Sequence, residues 1–373
     1  MGEPLEIAAA LASVVAERAA EIEELRRLPP DIAKQLADAG LFRLCLPKEL
    51  DGREAHPAEL VRVFEALSRG DAAAGWCLMI GATTGVGAGY LPADEARTIY
   101  GPADAITGGV YAPRGKAVAV DGGYRVTGRW QWGSGSQHST WLMLGALVEG
   151  DPPAVRQFYF PASDVTIHDT WYASGLRGTG SNDLEVVDVF VPARRCVAIT
   201  DAPRADASLY RFPVFGLLAL GVCAVTFGIA QAALDEITGV AGTKTATGQS
   251  RKLAERPAVQ SAVAEATAAL EAARSYLFGA IDTAWALAEA GAPLTLPVRA
   301  RLRMASTHGA LTSARVVDTA YNLGGGTSVY ESSPLQRYFR NVHVATQHMI
   351  VSPPTLQLAG RVLLGLDANI AEL

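Results

Sequence analysis

The chain has 373 residues, enough to bury several layers of core, and its net charge of −6 comes without a basic run that would bind a polyanion. Nucleic acid is therefore not an expected partner. The N-terminus begins with Glu3 and Glu6 and lacks the basic-then-apolar layout of a signal peptide. The most apolar window, 215–229, is shorter than a bilayer span, so we expect a buried helix, no membrane contact and a cytoplasmic protein.

The first part of the chain has a helical pattern. Apolar residues recur at helical spacing in 5–25, 30–40 and 57–68, and 72–80 is a helix of small residues that we expect to be buried. Gly40 stands where a left-handed residue ends a helix. We assign residues 1–101 to an N-terminal α-helical domain.

From about residue 102 the apolar period changes from that of a helix to that of a strand. The expected strands are 107–112, 117–120, 124–132, 141–147, 157–160, 165–169 and 184–191, with a hairpin turn at 121–123. This spacing predicts a central antiparallel β-barrel or sandwich over residues 102–200.

The helical period returns from residue 213 to the end. Apolar residues between Val259 and Ile281 mostly alternate steps of four and three, and further helices are expected at 296–321, 334–350 and 354–365. Long helices of this kind pack as a four-helix bundle, so residues 201–373 are assigned to a C-terminal bundle.

The stretch 128–138, GRWQWGSGSQH, lies in the β-patterned region. Trp130 and Trp132 are two residues apart, which on a regular strand places both side chains on one face. Ser134 and Gly135 follow at the strand's end, where N–H groups and a hydroxyl are available to a ligand. An aromatic wall followed by free donors suits a flat cofactor, and a core strand ending in a turn is the alternative.

A second stretch, 177–181, combines a cation, two glycines and two hydroxyls. Arg177, Gly180, Thr179 and Ser181 supply the groups that a phosphate needs, although a plain β-turn uses the same residues. The four cysteines lack C-x-x-C spacing, and no His, Asp and Glu set has ligand spacing, so we expect reduced thiols and no metal site.

This order of regions, together with four motifs, resembles the acyl-CoA dehydrogenase superfamily. The closer resemblance is to oxygenase components of two-component flavin-dependent monooxygenases, the branch of 4-hydroxyphenylacetate 3-monooxygenase, the steroid-ring hydroxylase, dibenzothiophene monooxygenase and the nitrososynthases. Residues 121–138 are similar to its G-x-W-x-x-x-S-G-x-x-H block, and 175–192 to its G-x-R-G-T-G-S strand pair. Glycines at 324–326 and the helix 334–348, PLQRYFRNVHVATQH, complete the match.

The resemblance implies a flavin site. It places Ser134 beside N5 and the C4 carbonyl of the isoalloxazine, where a hydroxyl helps to hold a C4a-peroxide, and it places Trp132 behind the ring. Gly135 and the 177–181 stretch, with Arg177, Thr179, Gly180 and Ser181, would bind the same cofactor. The backbone of Gly324, Gly325 and Gly326 would approach the flavin of a neighbouring subunit in a homotetramer, although a helix stop explains these glycines nearly as well.

The same resemblance leaves a choice between oxygenase and dehydrogenase. An acyl-CoA dehydrogenase removes the α-proton with a glutamate, and neither 347–352 nor 209–221, the two segments where the fold places that base, contains a carboxylate. His348 stands there instead. An imidazole of near-neutral pKa can accept a proton from a phenol or an amine.

Three further residues are expected around the substrate. Arg340 and Asn341 lie eight and seven residues before His348, near one face of the predicted helix, and His138 follows the Ser-Gly turn. We predict that His348 and Ser134 are catalytic and that Arg340, Asn341 and His138 bind substrate. A structural histidine on a helix is the alternative for His348.

The chain is therefore expected to hydroxylate or N-oxygenate a small organic molecule through a C4a-peroxyflavin. Reduced FMN or FAD would come from a separate NAD(P)H:flavin reductase, in agreement with the lack of a G-x-G-x-x-G dinucleotide fingerprint after a strand. The alternatives are an acyl-CoA dehydrogenase with an unidentified base and a flavin-binding scaffold without catalysis.

Overall fold

Helices from both ends of the chain pack around a seven-stranded sheet in the computed structural model, which describes residues 2–150, 152–245, 250–369 and 373. Six helices precede the sheet: α1 Pro4–Glu17, α2 Ala19–Leu25, α3 Pro30–Asp38, α4 Pro57–Gly70, α5 Ala72–Thr84 and α6 Ala93–Tyr100. The strands are β1 Thr107–Val120, β2 Gly123–Gly133, β3 Trp141–Val148, β4 Ala154–Pro161, β5 Thr166–His168, β6 Asn182–Pro192 and β7 Cys196–Val197. Six helices follow: α7 Ser208–Arg211, α8 Val214–Thr243, α9 Pro257–Glu289, α10 Leu296–Gly324, α11 Pro334–Ala345 and α12 Pro354–Leu363.

Residues typical of helix ends mark the start or the end of several N-terminal helices. Pro30 opens α3, and Gly40 takes the left-handed conformation (φ 72°) just after α3, as predicted. The Asp71 side chain accepts a hydrogen bond from the Ala74 amide at 2.9 Å and so caps α5. The helix predicted over 5–25 is interrupted at Arg18, whose backbone leaves helical geometry (φ −103°, ψ 8°).

The sheet has the strand order β5-β6-β2-β1-β3-β4-β7. The hairpin predicted at 121–123 joins β1 to β2, and the two strands predicted at 107–112 and 117–120 are one continuous strand, β1. All pairings are antiparallel except that of β1 with β3, which is parallel. After β2 the chain crosses to the other edge of β1, so β3 runs in the same direction as β1. The sheet is therefore mixed, which corrects the prediction that all its strands are antiparallel.

Two cores hold the fold together. The sheet has its own core, centred on Trp130, Phe158 and Phe160. A larger core runs through both helical regions, where α4 and α5 pack on α8 and where α8, α9, α10 and α11 pack on each other. The predicted order of N-terminal helices, central sheet and C-terminal helices is thus confirmed, while the residue limits 1–101, 102–200 and 201–373 stay predictions.

Two helical segments are apolar enough, by length and composition alone, to cross a membrane. They are Ala72–Gly89 and Val214–Thr243, and 94% of the apolar window of each is buried inside the fold. Burial of this extent is typical of core helices, as the sequence predicted for 215–229. In the fold, these segments are the central helices against which the sheet and the other helices pack.

Candidate active site at the junction of sheet and helices

Ser134 lies directly after β2, in a tight turn that buries its side chain to 6% exposure. Its amide donates to the Trp132 carbonyl at 2.9 Å, and the Gly135 amide donates to the Thr179 carbonyl at 2.9 Å. Gly135 has a φ of 72°, which glycine adopts without strain. The backbone amides of Ser134 and Gly135, which were expected to meet a ligand, are therefore used within the protein.

The Ser134 hydroxyl connects the two motifs that the sequence singled out. Its Oγ lies 2.7 Å from Ser181 Oγ, and Ser181 Oγ lies 2.6 Å from Thr179 Oγ1. All three side chains are buried. The strand end at 134 and the 177–181 turn thus form one hydrogen-bonded unit.

Trp76, in the middle of α5, joins this unit to the C-terminal helices. Its indole Nε1 donates to Ser134 Oγ at 3.1 Å, and its ring makes an edge contact with the His348 ring at a centroid distance of 5.7 Å. Ser134 and His348, which are far apart in the sequence, are therefore on either side of one tryptophan. This contact brings together the sheet, α5 and the segment that follows α11.

His348 is placed and ionised differently from the sequence-based expectation. Helix α11 ends at Ala345, so the predicted helix 334–350 is too long and His348 lies in the turns beyond it. These turns are held by Arg303, whose side chain donates to the Ile350 carbonyl at 3.1 Å. Burial, and to a smaller extent the charge of Arg303, lowers the pKa of His348 to about 4 rather than leaving it near neutral.

The proton of the neutral His348 ring can be assigned from its hydrogen bond. The Ile350 amide donates to Nδ1 at 3.3 Å, and a nitrogen that accepts in this way carries no proton. The proton is therefore on Nε2, which has no hydrogen-bond partner among the described residues. In this state the ring offers a donor, not a base, to whatever lies beside it.

His138 lies in the turn after Gly135, with its ring 6.4 Å from that of Phe42. Burial lowers its pKa to about 4, so it is also neutral at neutral pH. A Cβ at Gly135 would be 3.0 Å from His138 Nε2, which shows how closely the ring approaches the turn. The His138 ring thus lies against Gly135, the residue that follows Ser134.

The two tryptophans of β2 do not share a face. Trp130 is fully buried and donates to the Gly145 carbonyl at 2.7 Å, whereas Trp132 is 63% exposed. The register of β2 against β6 shifts between Trp130 and Gly133, and Trp132 has a positive φ of 67°. This irregularity turns Trp132 outward and corrects the same-face expectation, since alternation holds only for a regular strand.

The turn at 177–181 has features that suit an anionic cofactor. Arg177 Nε is buried and has no hydrogen-bond partner among the residues that the structure describes. Gly180 has a φ of 53°, and a Cβ there would lie 2.6 Å from the Gln137 side chain. An Arg177 Nε atom with no partner among the described residues, the close backbone approach at Gly180 and the exposed Trp132 ring are together compatible with a flavin.

Arg340 and Asn341 have structural contacts. The Arg340 guanidinium donates to Gln336 and to the Ser174 carbonyl and forms an ion pair with Glu23. The Asn341 side-chain oxygen accepts from the buried Leu176 amide at 2.7 Å. Both residues hold the 174–177 loop against α11, so we leave them out of the proposed substrate pocket.

The three glycines at 324–326 close α10 and begin the following turn. Lys244 donates to the Gly324 carbonyl at 2.5 Å, and Gly325 has a φ of 57°. Within the described chain, nothing lies within 4 Å of a Cβ placed at Gly325 or Gly326. This helix end is thus internally capped and leaves open space outside its last two glycines.

Asp71 is the one buried carboxylate in the described part of the chain. Burial raises its pKa to about 6, and its side chain is used to cap α5. It is therefore held by the helix end rather than poised as a base. The described residues also contain no group of three or more His, Cys, Asp and Glu that could hold a metal ion.

Trp76 is the site residue that sequence reasoning missed. Its segment was predicted to be a buried helix of small residues, and Trp76 is the one large side chain with a polar tip between Ala72 and Cys77. A buried indole N–H requires an acceptor. That requirement was the signal that could have directed attention to it, although no pattern in the sequence names Ser134 as the acceptor.

Comparison with known families supports the same conclusion. The model of the acyl-CoA dehydrogenase N-terminal domain matches residues 6–93, and that of the acyl-CoA dehydrogenase C-terminal domain matches residues 220–353. An indole-3-acetate monooxygenase from Pseudomonas putida is 34% identical over 352 residues, covering 93% of this chain and 90% of its own length.

Two solved structures are similar over the whole chain. The 3-HSA hydroxylase from Rhodococcus sp. RHA1 has a TM-score of 0.94 at 29% identity, covering 100% of this chain and 99% of that one. XiaF from a Streptomyces species, solved with FADH2 and glycerol, has a TM-score of 0.93 at 26% identity, covering 100% and 97%. With its fold, its motifs and these relatives, the chain belongs to the acyl-CoA dehydrogenase family and, within it, to the flavin-dependent monooxygenases.

Proposed function

We propose that the reduced flavin used by this monooxygenase binds where β2, the 177–181 turn and α5 meet. The contact that carries this proposal is that of Trp76 with Ser134 on one side and His348 on the other. Ser134 would face the polar edge of the flavin ring, Trp132 would stack on the ring and Arg177 would pair with its phosphate. The buried, unpartnered Arg177 Nε and the exposed Trp132 ring support this arrangement.

A bound reduced flavin activates O2 so that one oxygen atom can be transferred to an organic molecule. The chain's own contribution is to position the substrate and to exclude water. His348, neutral and protonated on Nε2, would donate a hydrogen bond to a substrate oxygen or nitrogen, which differs from the proton-accepting role expected from the sequence. His138 would complete the same side of the pocket next to Ser134.

The substrate is proposed to be a small aromatic molecule, and a separate NAD(P)H:flavin reductase is proposed to supply FMN or FAD in the reduced form. The P. putida relative is named for indole-3-acetate, an aromatic acid, which supports the substrate class. Half-buried Tyr111 and Phe215 form an edge contact at 6.2 Å between β1 and α8 and offer an aromatic wall for such a ring.

A homotetramer is also proposed, in which the open backbone at Gly325 and Gly326 approaches a neighbouring subunit. Gly326→Leu tests it, because Gly326 lacks a positive φ and has open space around its Cβ position. We expect a normal monomer fold with weaker assembly and weaker flavin binding. Light scattering and flavin titration measure these two effects, and an unchanged assembly would remove the glycines from the interface.

The function itself is tested with the purified chain, chemically reduced FMN or FAD, isotopically labelled O2 and indole-3-acetate as the first of a panel of aromatic acids and phenols. Mass spectrometry should show a product containing one labelled oxygen atom. Rapid bleaching of the oxidised flavin by acyl-CoAs without O2, with no oxygenated product, would instead establish dehydrogenation.

A further inference from the structure

Four oxygen atoms form a continuous chain that ends at Ser134. The Thr179 hydroxyl lies 2.8 Å from the Leu176 carbonyl oxygen, Ser181 lies 2.6 Å from Thr179, and Ser134 lies 2.7 Å from Ser181. Each contact is short enough that it requires a proton between the two oxygens, because two unprotonated oxygens at that distance repel each other. The three oxygen–oxygen contacts of this hydrogen-bond chain thus require one proton each.

Three hydroxyl protons are available for these contacts, one on each of Thr179, Ser181 and Ser134. A carbonyl oxygen has no proton, so the proton between Thr179 and Leu176 must come from Thr179. Ser181 must then donate to Thr179, and Ser134 must donate to Ser181. This is the one assignment that places a proton in every contact.

Trp76 restricts Ser134 further. An indole N–H is a donor only, and Trp76 Nε1 donates to Ser134 Oγ at 3.1 Å. Ser134 has therefore used its proton on Ser181 and one lone pair on Trp76. A single lone pair is left for a ligand.

We propose that this hydrogen-bond chain makes Ser134 an acceptor, and not a donor, toward the cofactor. Thr179 and Ser181 are then positioning residues that set the proton direction, and Trp76 is one that fixes the orientation of the hydroxyl. The inference rests on the proposed placement of the flavin next to Ser134. It reverses the expectation that this hydroxyl donates to the flavin.

The proton direction of the hydrogen-bond chain affects which redox state of the flavin binds more tightly. Reduced flavin carries an N–H at N5, whereas oxidised flavin presents a lone pair there. An acceptor-only Ser134 pairs with the first and is opposed by the second. The hydrogen-bond chain therefore favours the binding of reduced over oxidised flavin. Its proton direction is set by the side chains of Thr179, Ser181 and Trp76, which lie behind the Ser134 hydroxyl.

The proposal is tested by measuring the dissociation constants of reduced and oxidised FMN and FAD, anaerobically, for the parent chain and for Thr179→Val and Ser181→Ala. In both variants the Ser134 proton becomes free to turn toward N5 of the oxidised flavin. We expect the ratio of the oxidised to the reduced constant to fall about five- to tenfold, the effect of one hydrogen bond. By linkage, a tenfold fall lowers the two-electron potential of the bound flavin by about 30 mV, which provides a second readout.

Thr226→Val is the matched control. Thr226 is fully buried in α8, and its hydroxyl donates to the Cys223 carbonyl three residues earlier, as the Thr179 hydroxyl does to Leu176. The Thr226→Val variant should lose the same kind of hydrogen bond without changing the ratio of the oxidised to the reduced flavin dissociation constant. Thermal unfolding of each variant shows whether the fold is retained.

Ser134→Ala separates this inference from the placement on which it rests. If Ser134→Ala lowers the ratio while Thr179→Val and Ser181→Ala keep the parent value, the proton direction is wrong and the placement stands. If all three leave both constants unchanged, the flavin does not contact Ser134 and the placement is wrong as well.

Discussion

His348, which we propose lies in the substrate pocket, shows how local contacts limit what a side chain can do. Its type and position in the sequence suggested a base, but its Nδ1 is occupied by the Ile350 amide and its pKa is lowered to about 4. A ring in that state is a poor proton acceptor at neutral pH and a good hydrogen-bond donor through Nε2. If His348 acts as a hydrogen-bond donor, a side chain that can donate but cannot act as a base should replace it in part.

We expect His348→Ala to retain flavin binding and to lose coupling, so that hydrogen peroxide replaces product. Loss of one hydrogen bond to the substrate predicts a fall in product per O2 of about five- to tenfold. His348→Gln should recover part of the coupling, because an amide N–H can donate while an amide cannot act as a base. Product and peroxide are measured in the same assay.

His343→Ala is the control for this pair of variants. His343 lies on α11, contacts the Phe339 ring and pairs with Asp318 at 2.8 Å, away from Trp76. Its loss should leave coupling at the parent value. Equal peroxide release from His343→Ala and His348→Ala, or failure of His348→Gln to recover any product, would argue against the donor role.

At the scale of elements, the 177–181 turn is held in place by α11. Asn341 accepts from the Leu176 amide, and Gly175 lies so close to the helix that a Cβ there would be 2.3 Å from the Arg340 carbonyl oxygen. The proposed phosphate contact at Arg177 and the hydroxyl of Thr179 therefore depend on a helix from the C-terminal bundle. In this chain, Arg340 and Asn341 of α11 therefore contact the loop that leads into the glycine-rich turn.

Gly175→Ala should separate the turn from α11. The added methyl group would collide with backbone, which cannot move as a side chain can, and overpacking of this kind costs about 1–3 kcal/mol. We expect a lower unfolding free energy and weaker binding of reduced flavin, measured by denaturant unfolding and by titration.

Gly279→Ala provides the comparison, because Gly279 lies within α9 and nothing is within 4 Å of its Cβ position. It should stabilise the chain by about 0.5–1 kcal/mol through helix propensity and leave flavin binding unchanged. Similar losses of binding in both glycine variants would contradict a specific role for the contact between the turn and α11.

Most of the secondary-structure elements could be predicted from the sequence. Helices and most strands follow from apolar periodicity, which reports one buried face and is local. The outward turn of Trp132 depends on a register shift against β6, and the turns that contain His348 contact Arg303 through the Ile350 carbonyl. These two contacts join residues distant in the sequence, so no local pattern could predict them.

For the molecule as a whole, the motifs predicted the family and the flavin chemistry. They did not predict the details that decide function. The proximity of Ser134 to Ser181 was not readable from two separate blocks, and Trp76 belonged to no block. Resemblance transfers a site as a set of positions, whereas proton directions and pKa values come from the contacts of this chain.

Two half-buried neutral histidines also affect the stability of the whole chain. The pKa of His138 and that of His348 are both lowered from 6.5 to about 4. Below pH 6.5 the unfolded chain takes up protons that the folded chain does not, so stability is lost as the pH falls toward 4. Lowering a pKa by one corresponds to about 1.4 kcal/mol, and partial exposure of the rings reduces the total to about 2 kcal/mol for each histidine.

We therefore expect His138→Gln and His348→Gln each to flatten the dependence of the unfolding free energy on pH between 6.5 and 4. Asp71 acts in the opposite direction, because its raised pKa stabilises the fold as the pH falls through about 6. The quantity to compare is thus the slope of each variant against that of the parent chain, obtained from denaturant unfolding at a series of pH values, because Asp71 contributes equally to all of them. Parallel slopes would show that the two rings are protonated in the folded chain as readily as in the unfolded one.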